Sequence, residues 1–439
     1  MALSNKEALK RSSIDRAGRA YATLLRKTRD YSKEQFDAFQ EKSLYTTYRN
    51  AVSHVPYYQN TSQYPRDVAP ETFMTDFSRL PILEKTTVKQ NTAAFIRQPR
   101  SRFLMQLTTS GTTGSPLVIY QTPVGRVRSN ALVQSVYEIF CGLKSPRIMH
   151  LSASLMQDQV SVRWPGTRHA ALSIYHLNKT NRDQILKLLQ GFKPELIHGF
   201  PSALSQLARL FPDGLPYEIP GRTIRCVATS ETLFPETRRV IEERLGVIVH
   251  NEYGSQEGQH FAFECEHRSL HIHPARGYVE ILDFETDRPA APGEAGRIVV
   301  TGFQNRHMPL VRYSIGDTAS KSGDGHHCDC GITWPVLHEL HGRTQDLIKT
   351  PDGNRIGLME AVTLRMVPGI SESQIIQTDF DAFTYVIVST QDYDAPQAEA
   401  EINKNLTQRL GYPVNVNFEY VGQIEKTAAG KHRAVIVNF

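Results

Sequence analysis

Residues 108–116 read Thr108-Thr109-Ser110-Gly111-Thr112-Thr113-Gly114-Ser115-Pro116. Two glycines let the backbone turn tightly and gather amide N–H groups at one point, and the hydroxyls of Ser110, Thr112 and Thr113 add donors, so the run has the makeup of an oxyanion cradle. The preceding Phe103, Leu104, Met105 and Leu107 suit a buried strand. The loop would then leave a sheet edge, where ligands sit in α/β folds. It is not a kinase or GTPase P-loop, which requires Gly-Lys-Ser/Thr at its end, because Gly114 is followed by Ser115 and Pro116. A solvated Ser/Thr/Gly surface loop has the same composition, so the rest of the chain has to decide.

The chain of 439 residues, 40% hydrophobic, is long enough for a large core and two or three domains. Its net charge of +5 is spread out, with no run of five basic residues, which speaks against nucleic-acid binding. No apolar segment reaches the ~18 residues that cross a bilayer, and residues 1–19 are polar and charged, without the apolar stretch of a signal peptide. No membrane association is expected. The five cysteines are too few for a disulfide scaffold, and their late clustering suits a metal in a reducing cytoplasm.

Apolar residues Leu44, Tyr48, Ala51, Val52 and Val55 recur at helical spacing and stop at Pro56, predicting a helix over 34–55. From 103 to 348 short Val/Ile/Leu runs such as 224–228 and 297–301 alternate with helical stretches such as 235–245. That pattern predicts a layered α/β core with much parallel sheet. Residues 289–296 read as a turn. The last section mixes strands, among them 385–389, with one polar helix over 395–410, as a small α+β lid would.

Further motifs follow in a fixed order: Tyr253-Gly254-Ser255-Gln256-Glu257, Arg312-Tyr313-Ser314-Ile315-Gly316-Asp317, Gly342-Arg343-Thr344-Gln345-Asp346 and Thr427-Ala428-Ala429-Gly430-Lys431. With residues 108–116 this set resembles the adenylate-forming superfamily of acyl-CoA synthetases, luciferases and nonribosomal adenylation domains. Pro56-Tyr57-Tyr58, Leu80-Pro81-Ile82-Leu83-Glu84-Lys85, Gly199-Phe200-Pro201-Ser202 and Met308-Pro309-Leu310-Val311-Arg312-Tyr313 are similar to the phenylacetate-CoA ligase and coenzyme F390 synthetase group. The resemblance spans nearly the whole chain. It implies an adenylate-forming domain over 1–341, made of a helical section (1–100) and an α/β core (101–341), a hinge at 342–346 and a mobile lid over 347–439.

It also implies ATP-dependent activation of a carboxylic acid through an acyl-adenylate, then transfer to the thiol of CoA. Thr109, Ser110, Gly111, Thr112, Thr113 and Gly114 would hold the phosphates, and Glu257 would bind Mg2+. Asp317 and Arg343 would hold the ribose, with Ser230, Glu231, Asn251, Tyr253 and Gly254 completing the nucleotide site. Lys431 would bridge the acyl carboxylate and the α-phosphate, and a compact ammonium on a long stem suits a group that swings in and out. Gln345 would be the pivot of the lid, and the turn 352–354 would line the thiol tunnel. Gly199, Phe200, Pro201, Ser202 and Tyr253 would line the acyl pocket, and the two rings suggest an aromatic or cyclic acid. The resemblance leaves a homodimer open.

Taken singly, these residues also have bland roles, Asp317 as a turn residue after Gly316, Arg343 as a solvated charge and Glu257 as a helix-terminus acid. Two positions depart from the pattern: Ser115 stands where lysine is usual, and Gln256 where Ser or Thr touches the phosphate. An amide or ester synthetase with an amine or hydroxyl acceptor, or a nucleotide-binding protein without turnover, are the competing readings. Cys265, His271, Cys328 and Cys330 would satisfy a structural Zn2+ with three thiolates and one imidazole. His267, His273, His326 and His327 compete as ligands, and buried or turn cysteines beside surface histidines are the alternative.

Overall fold

The structure, a computed structural model, describes residues 22, 25–108, 117–152, 155, 159–255, 257–258, 261–323, 328–343, 348–351, 355–356, 367–410, 412–425, 433 and 435–439. The first long helix, α1 (Lys33–His54), starts at a capping box in which the Ser32 side chain accepts from the Gln35 amide while the Gln35 side chain accepts from the Ser32 amide. Val55 turns extended at its end, as a residue before proline must. One face buries Phe36, Leu44, Tyr48, Ala51 and Val52; the last four join Tyr58, Phe73, Phe77 and Phe95 in a core shared with Ile298, Val300 and Tyr313, while Phe36 packs with Ile332 and Trp334.

Strands β1 (Met105–Thr108) and β2 (Val118–Gln121) form an antiparallel pair of their own, so residues 109–116 join two adjacent strands. Phe103 lies ahead of β1 and is 67% exposed, so the expected strand begins two residues later, and its Met105 and Leu107 are half-buried where a buried strand was expected. Helix α2 (Pro123–Cys141) opens with Thr122 accepting from the Gly125 amide and Pro123 in its first turn. It ends at Gly142, whose φ of 64° closes the helix in the left-handed region.

Among the described residues the main sheet has twelve strands. Five of them, β5 (His169–Ser173), β3 (Ile148–Ser152), β6 (Leu196–Gly199), β7 (Arg225–Thr229) and β8 (Ile248–Gly254), are parallel neighbours in that order. Their apolar runs are covered by helices α3 (Arg182–Phe192), α4 (Pro201–Leu210) and α5 (Pro235–Leu245) and by α2, the condition under which parallel sheet is stable. Strand β4 (Ser161–Arg163) is an antiparallel edge beside β5. Beyond β8 the sheet is antiparallel through β9 (Phe261–Glu264), β10 (Leu270–Ile272), β14 (Val336–Arg343), β13 (Tyr313–Lys321), β12 (Gly296–Gly302) and β11 (Gly277–Leu282). The parallel expectation therefore holds for the half covered by α2 to α5 and not for the other half.

The C-terminal section contributes a short pair, β15 (Ile348–Lys349) with β16 (Arg355–Ile356), and a four-stranded sheet. Its order is β19 (Asn415–Tyr420), β18 (Ala382–Ser389), β17 (Ile370–Gln377) and β20 (Val435–Val437). Helix α6 (Ala395–Leu410) packs Ile402, Leu406 and Leu410 onto Ile375, Phe383, Tyr385 and Ile387, four-residue spacing that puts one apolar stripe on the sheet.

Candidate active site

Alternation along β8 sends Glu252 and Tyr253 to opposite faces, and the two serve different neighbourhoods. The Tyr253 hydroxyl donates to Asp317 Oδ2 at 2.9 Å. Asp317 lies within β13, where its register partner is Arg343 at the end of β14. It is therefore a strand residue and not a turn residue, and pairing brings Asp317 and Arg343 opposite each other.

Glu257, in the turn after β8, is buried to 7% exposure. It accepts from the Tyr313 hydroxyl at 3.3 Å and lies 3.7 Å from Lys85 Nζ. Lys85 reaches it because residues 80–85 run alongside β13: the Leu83 amide donates to Arg312 O and the Ser314 amide to Leu83 O, at 2.8 and 3.0 Å. Lys85 had no functional assignment from sequence, since nothing local to it predicts this pairing. Arg312, the first residue of its motif, instead faces the core, where it is 3% exposed.

Gly199 ends β6 where a Cβ would sit 2.7 Å from Leu151 Cβ, so a side chain would force the strands apart. Directly after it, the Ser202 amide and hydroxyl both donate to Glu231, each at 3.1 Å. Ser230 holds a φ of 69°, which turns the chain after β7 so that Glu231 meets the first turn of α4. There the carboxylate is favoured by the helix dipole. Phe200 packs against the core of Met149, Leu151 and Leu204, Pro201 is buried, and the Asn251 amide donates to Glu264 at 3.0 Å. On the Glu252 face, the carboxylate accepts from Thr229 at 3.3 Å and meets His198 Nε2 at 3.4 Å. His150 contacts His169 at 3.1 Å.

Away from this region, the ligand atoms of Cys265, His271, Cys328 and Cys330 all lie within 4.8 Å of one another. Cys265 opens the tight turn between β9 and β10, its amide donating to Ser269 O at 2.9 Å, and the Cys328 carbonyl accepts from the Gly331 amide at 3.0 Å. His271 contacts Trp334 O through Nδ1 at 3.3 Å and Cys330 through Nε2, also at 3.3 Å, contacts that fix the orientation of its ring, as a ligand role would need. Burial raises the Cys265 thiol and pushes that of Cys330 up to about 12. His271 is fully buried and not a surface residue. His273 does not compete, since its Nδ1 accepts from the Ala275 amide at 3.1 Å and its Nε2 meets the Ser135 hydroxyl at 3.3 Å.

Thr109, Ser110, Gly111, Thr112, Thr113, Gly114, Gln256, Gln345, the 352–354 turn, His326, His327 and Lys431 lie outside the described residues, as does the Arg343 side chain.

The sequence pattern of the AMP-binding enzyme family matches residues 44–306. The chain belongs to this family. Members of the AMP-binding enzyme family are therefore its frame of comparison, and residues 348–438 match a second pattern, the CapK C-terminal domain. Protein CapK of Staphylococcus aureus is 25% identical over 381 residues, covering 83% of this chain and 81% of CapK. The phenylacetate-coenzyme A ligase of Thermus thermophilus is 26% identical over 332 residues, 72% of each chain. In fold, the chain is similar to 2-hydroxyisobutyryl-CoA ligase in its postadenylation state with 2-HIB-AMP, at a TM-score of 0.73 and 19% identity over 93% of this chain and 90% of that one. The same ligase with 2-HIB-AMP and CoA in its thioesterification state gives 0.58 at 20% identity over the same shares, 93% and 90%. Among the described residues no helix is long and apolar enough to cross a membrane.

Proposed function

We propose that this AMP-binding enzyme activates a carboxylic acid with ATP, releasing pyrophosphate, and then passes the acyl group from AMP to the thiol of CoA. The observation that carries the reading is Asp317, hydrogen-bonded by Tyr253 and paired in register with Arg343. A carboxylate, which offers only acceptors, suits two ribose hydroxyls. Residues 109–116 would cradle the β- and γ-phosphates. Glu257 would hold Mg2+, which binds through one or two carboxylates together with phosphate oxygens, and a single buried carboxylate fits that donor set. The bound ion supplies charge neutralisation at the phosphates.

In the first step a carboxylate oxygen attacks the α-phosphorus, the α–β phosphoanhydride bond breaks and pyrophosphate leaves with the electron pair. Lys431 would stabilise the charge built up there, and its arrival and withdrawal would follow from rotation of the 347–439 lid about Gln345. In the second step a thiolate attacks the acyl carbonyl and AMP leaves. Phe200 and Tyr253 are both engaged in packing, so the aromatic character first suggested for the acid has little support from these two rings. The Cys265, His271, Cys328 and Cys330 quartet would hold a structural Zn2+, with all four positions filled by protein.

The test is pyrophosphate and AMP release with a panel of carboxylic acids, with and without CoA. Acid-dependent release stimulated by CoA supports the ligase. Release raised by amines and indifferent to CoA would make the chain an amide synthetase, and ADP in place of AMP would refute the reading.

A further inference from the structure

On the Glu252 face of β8 lies a guanidinium with no counter-charge in contact. Arg276, between β10 and β11, is 8% exposed, and its Nε and Nη1 are buried without a hydrogen-bond partner. Its backbone is fixed: the amide donates to His273 O at 3.1 Å and its carbonyl accepts from the Phe303 amide at 2.9 Å. Its Nη2 lies 2.8 Å from where a Cβ would stand on Gly258, directly after Glu257, so the guanidinium is packed under the turn that follows β8. Gly258, at φ 67°, leaves the room that any side chain would take from it.

Two charged groups act on Arg276, Arg126 from the first turns of α2 and Glu252 from β8. Burial, then Arg126, brings its pKa down to about 10, with Glu252 opposing. Burial also lowers that of Arg126. Glu252 spends one oxygen on Thr229 and His198, and its Oε2 is buried without a partner. Two arginines against one carboxylate leave one positive charge, and a buried charge without a partner is costly unless something of opposite sign completes the site.

We infer that Arg276 and Arg126 form a fixed anion subsite in the acyl pocket, so that the acid substrate carries a second anionic group, a carboxylate, besides the one that is activated. This rests on the acid-activating reading above. The location favours the acid over the nucleotide. Ribose recognition is assigned to Tyr253 and Asp317, with Tyr253 on the opposite face of β8, whereas Glu252, Thr229 and His198 meet toward the carboxyl ends of the parallel strands β8, β7 and β6, where open α/β sheets bind ligands, and Arg276 feels Glu252 from the β10–β11 loop and Arg126 from α2. The chemistry favours a second carboxylate over the reacting one. Two guanidiniums that bind both oxygens of a carboxylate blunt it as a nucleophile, whereas a spectator carboxylate gains from such pairing.

The full-length protein should be titrated calorimetrically with the α,ω-dicarboxylates from malonate to adipate and the three phthalates, each beside its monocarboxylate counterpart, and the same acids assayed for pyrophosphate release. At least one dicarboxylate should bind, and should exceed its monocarboxylate partner in kcat/KM, by about 10–100-fold, the worth of a charged hydrogen bond. That ratio should collapse toward one in Arg276→Met and in Arg126→Gln, the second variant serving if the first fails to fold. A ratio unchanged in both variants while overall activity falls would make the arginines structural and overturn the inference, as would dicarboxylates that bind no better than monocarboxylates. If no acid releases pyrophosphate, the activation reading fails, and the calorimetric comparison still decides the subsite.

Discussion

The Tyr253 hydroxyl donates a 2.9 Å hydrogen bond to the Asp317 carboxylate, tying the end of β8 to the middle of β13. The bond fixes the rotamer of the acid proposed to hold the ribose. Asp317→Ala should weaken ATP binding by about 1.5–3 kcal/mol, the scale of hydrogen bonds to a charged group, and Tyr253→Phe, which removes only the orienting donor, by about 0.5–1.5 kcal/mol. Calorimetric titration with ATP measures both, and an unchanged affinity in Asp317→Ala would remove that residue from the site.

Arg312 has a different role from its motif neighbour Asp317. Its guanidinium pairs with Glu280 at 2.9 and 3.2 Å, donates to Ser78 O at 2.8 Å and also bonds Leu80 O. Burial raises the Glu280 carboxyl, with Arg312 pulling it back. Arg312→Met should cost about 3–5 kcal/mol in urea unfolding, because it strands a buried carboxylate, whereas the double variant with Glu280→Leu should regain much of the loss. A single-variant cost below ~1 kcal/mol, the range of a surface ion pair, would contradict the buried role.

Zinc should co-purify at about one ion per chain, and Cys328→Ser should lower both the zinc content and the melting temperature, since a metal that binds only the folded chain stabilises it. Elemental analysis and calorimetry check this. Metal-free protein of full stability would leave the quartet as packed thiols.

His250 gives a pH dependence of defined sign. Burial, against a contact to Glu264 O and with Arg225, Arg268 and Arg238 nearby, lowers its pKa to about 4. Its neutral form is therefore favoured in the fold, the stabilisation is complete above the ordinary value near 6.5, and it is lost as pH falls toward 4. Between pH 7.5 and 5 the wild type should lose about 2 kcal/mol more stability than His250→Asn. Urea titrations at the two pH values that show equal losses would refute it.

Much of this architecture could be read along the chain. Proline and apolar spacing marked α1, and the helices over 235–245 and 395–410 fall at the expected residues, because caps and periodicity are local. The clustering of Cys265, His271, Cys328 and Cys330 was also legible, since most of the thiols lie late in a thiol-poor chain, close to histidines. What could not be read was pairing. Short apolar runs such as 297–301 do not say whether a neighbour runs parallel or antiparallel, so the antiparallel half of the sheet emerged only in three dimensions. Lys85 beside Glu257, and Arg276 beneath Gly258, join segments distant in sequence, and neither carries a local signal. Phe103, apolar yet exposed, shows the converse error of reading burial from residue type.

The most direct test of acid activation is ATP–pyrophosphate exchange without CoA. Labelled pyrophosphate should enter ATP only when a carboxylic acid and Mg2+ are present, and Lys431→Ala should slow the exchange by about 10²–10³, the worth of a preorganised charge contact in the transition state. Exchange independent of acid, or hydrolysis of ATP to ADP, would contradict an acyl-adenylate mechanism.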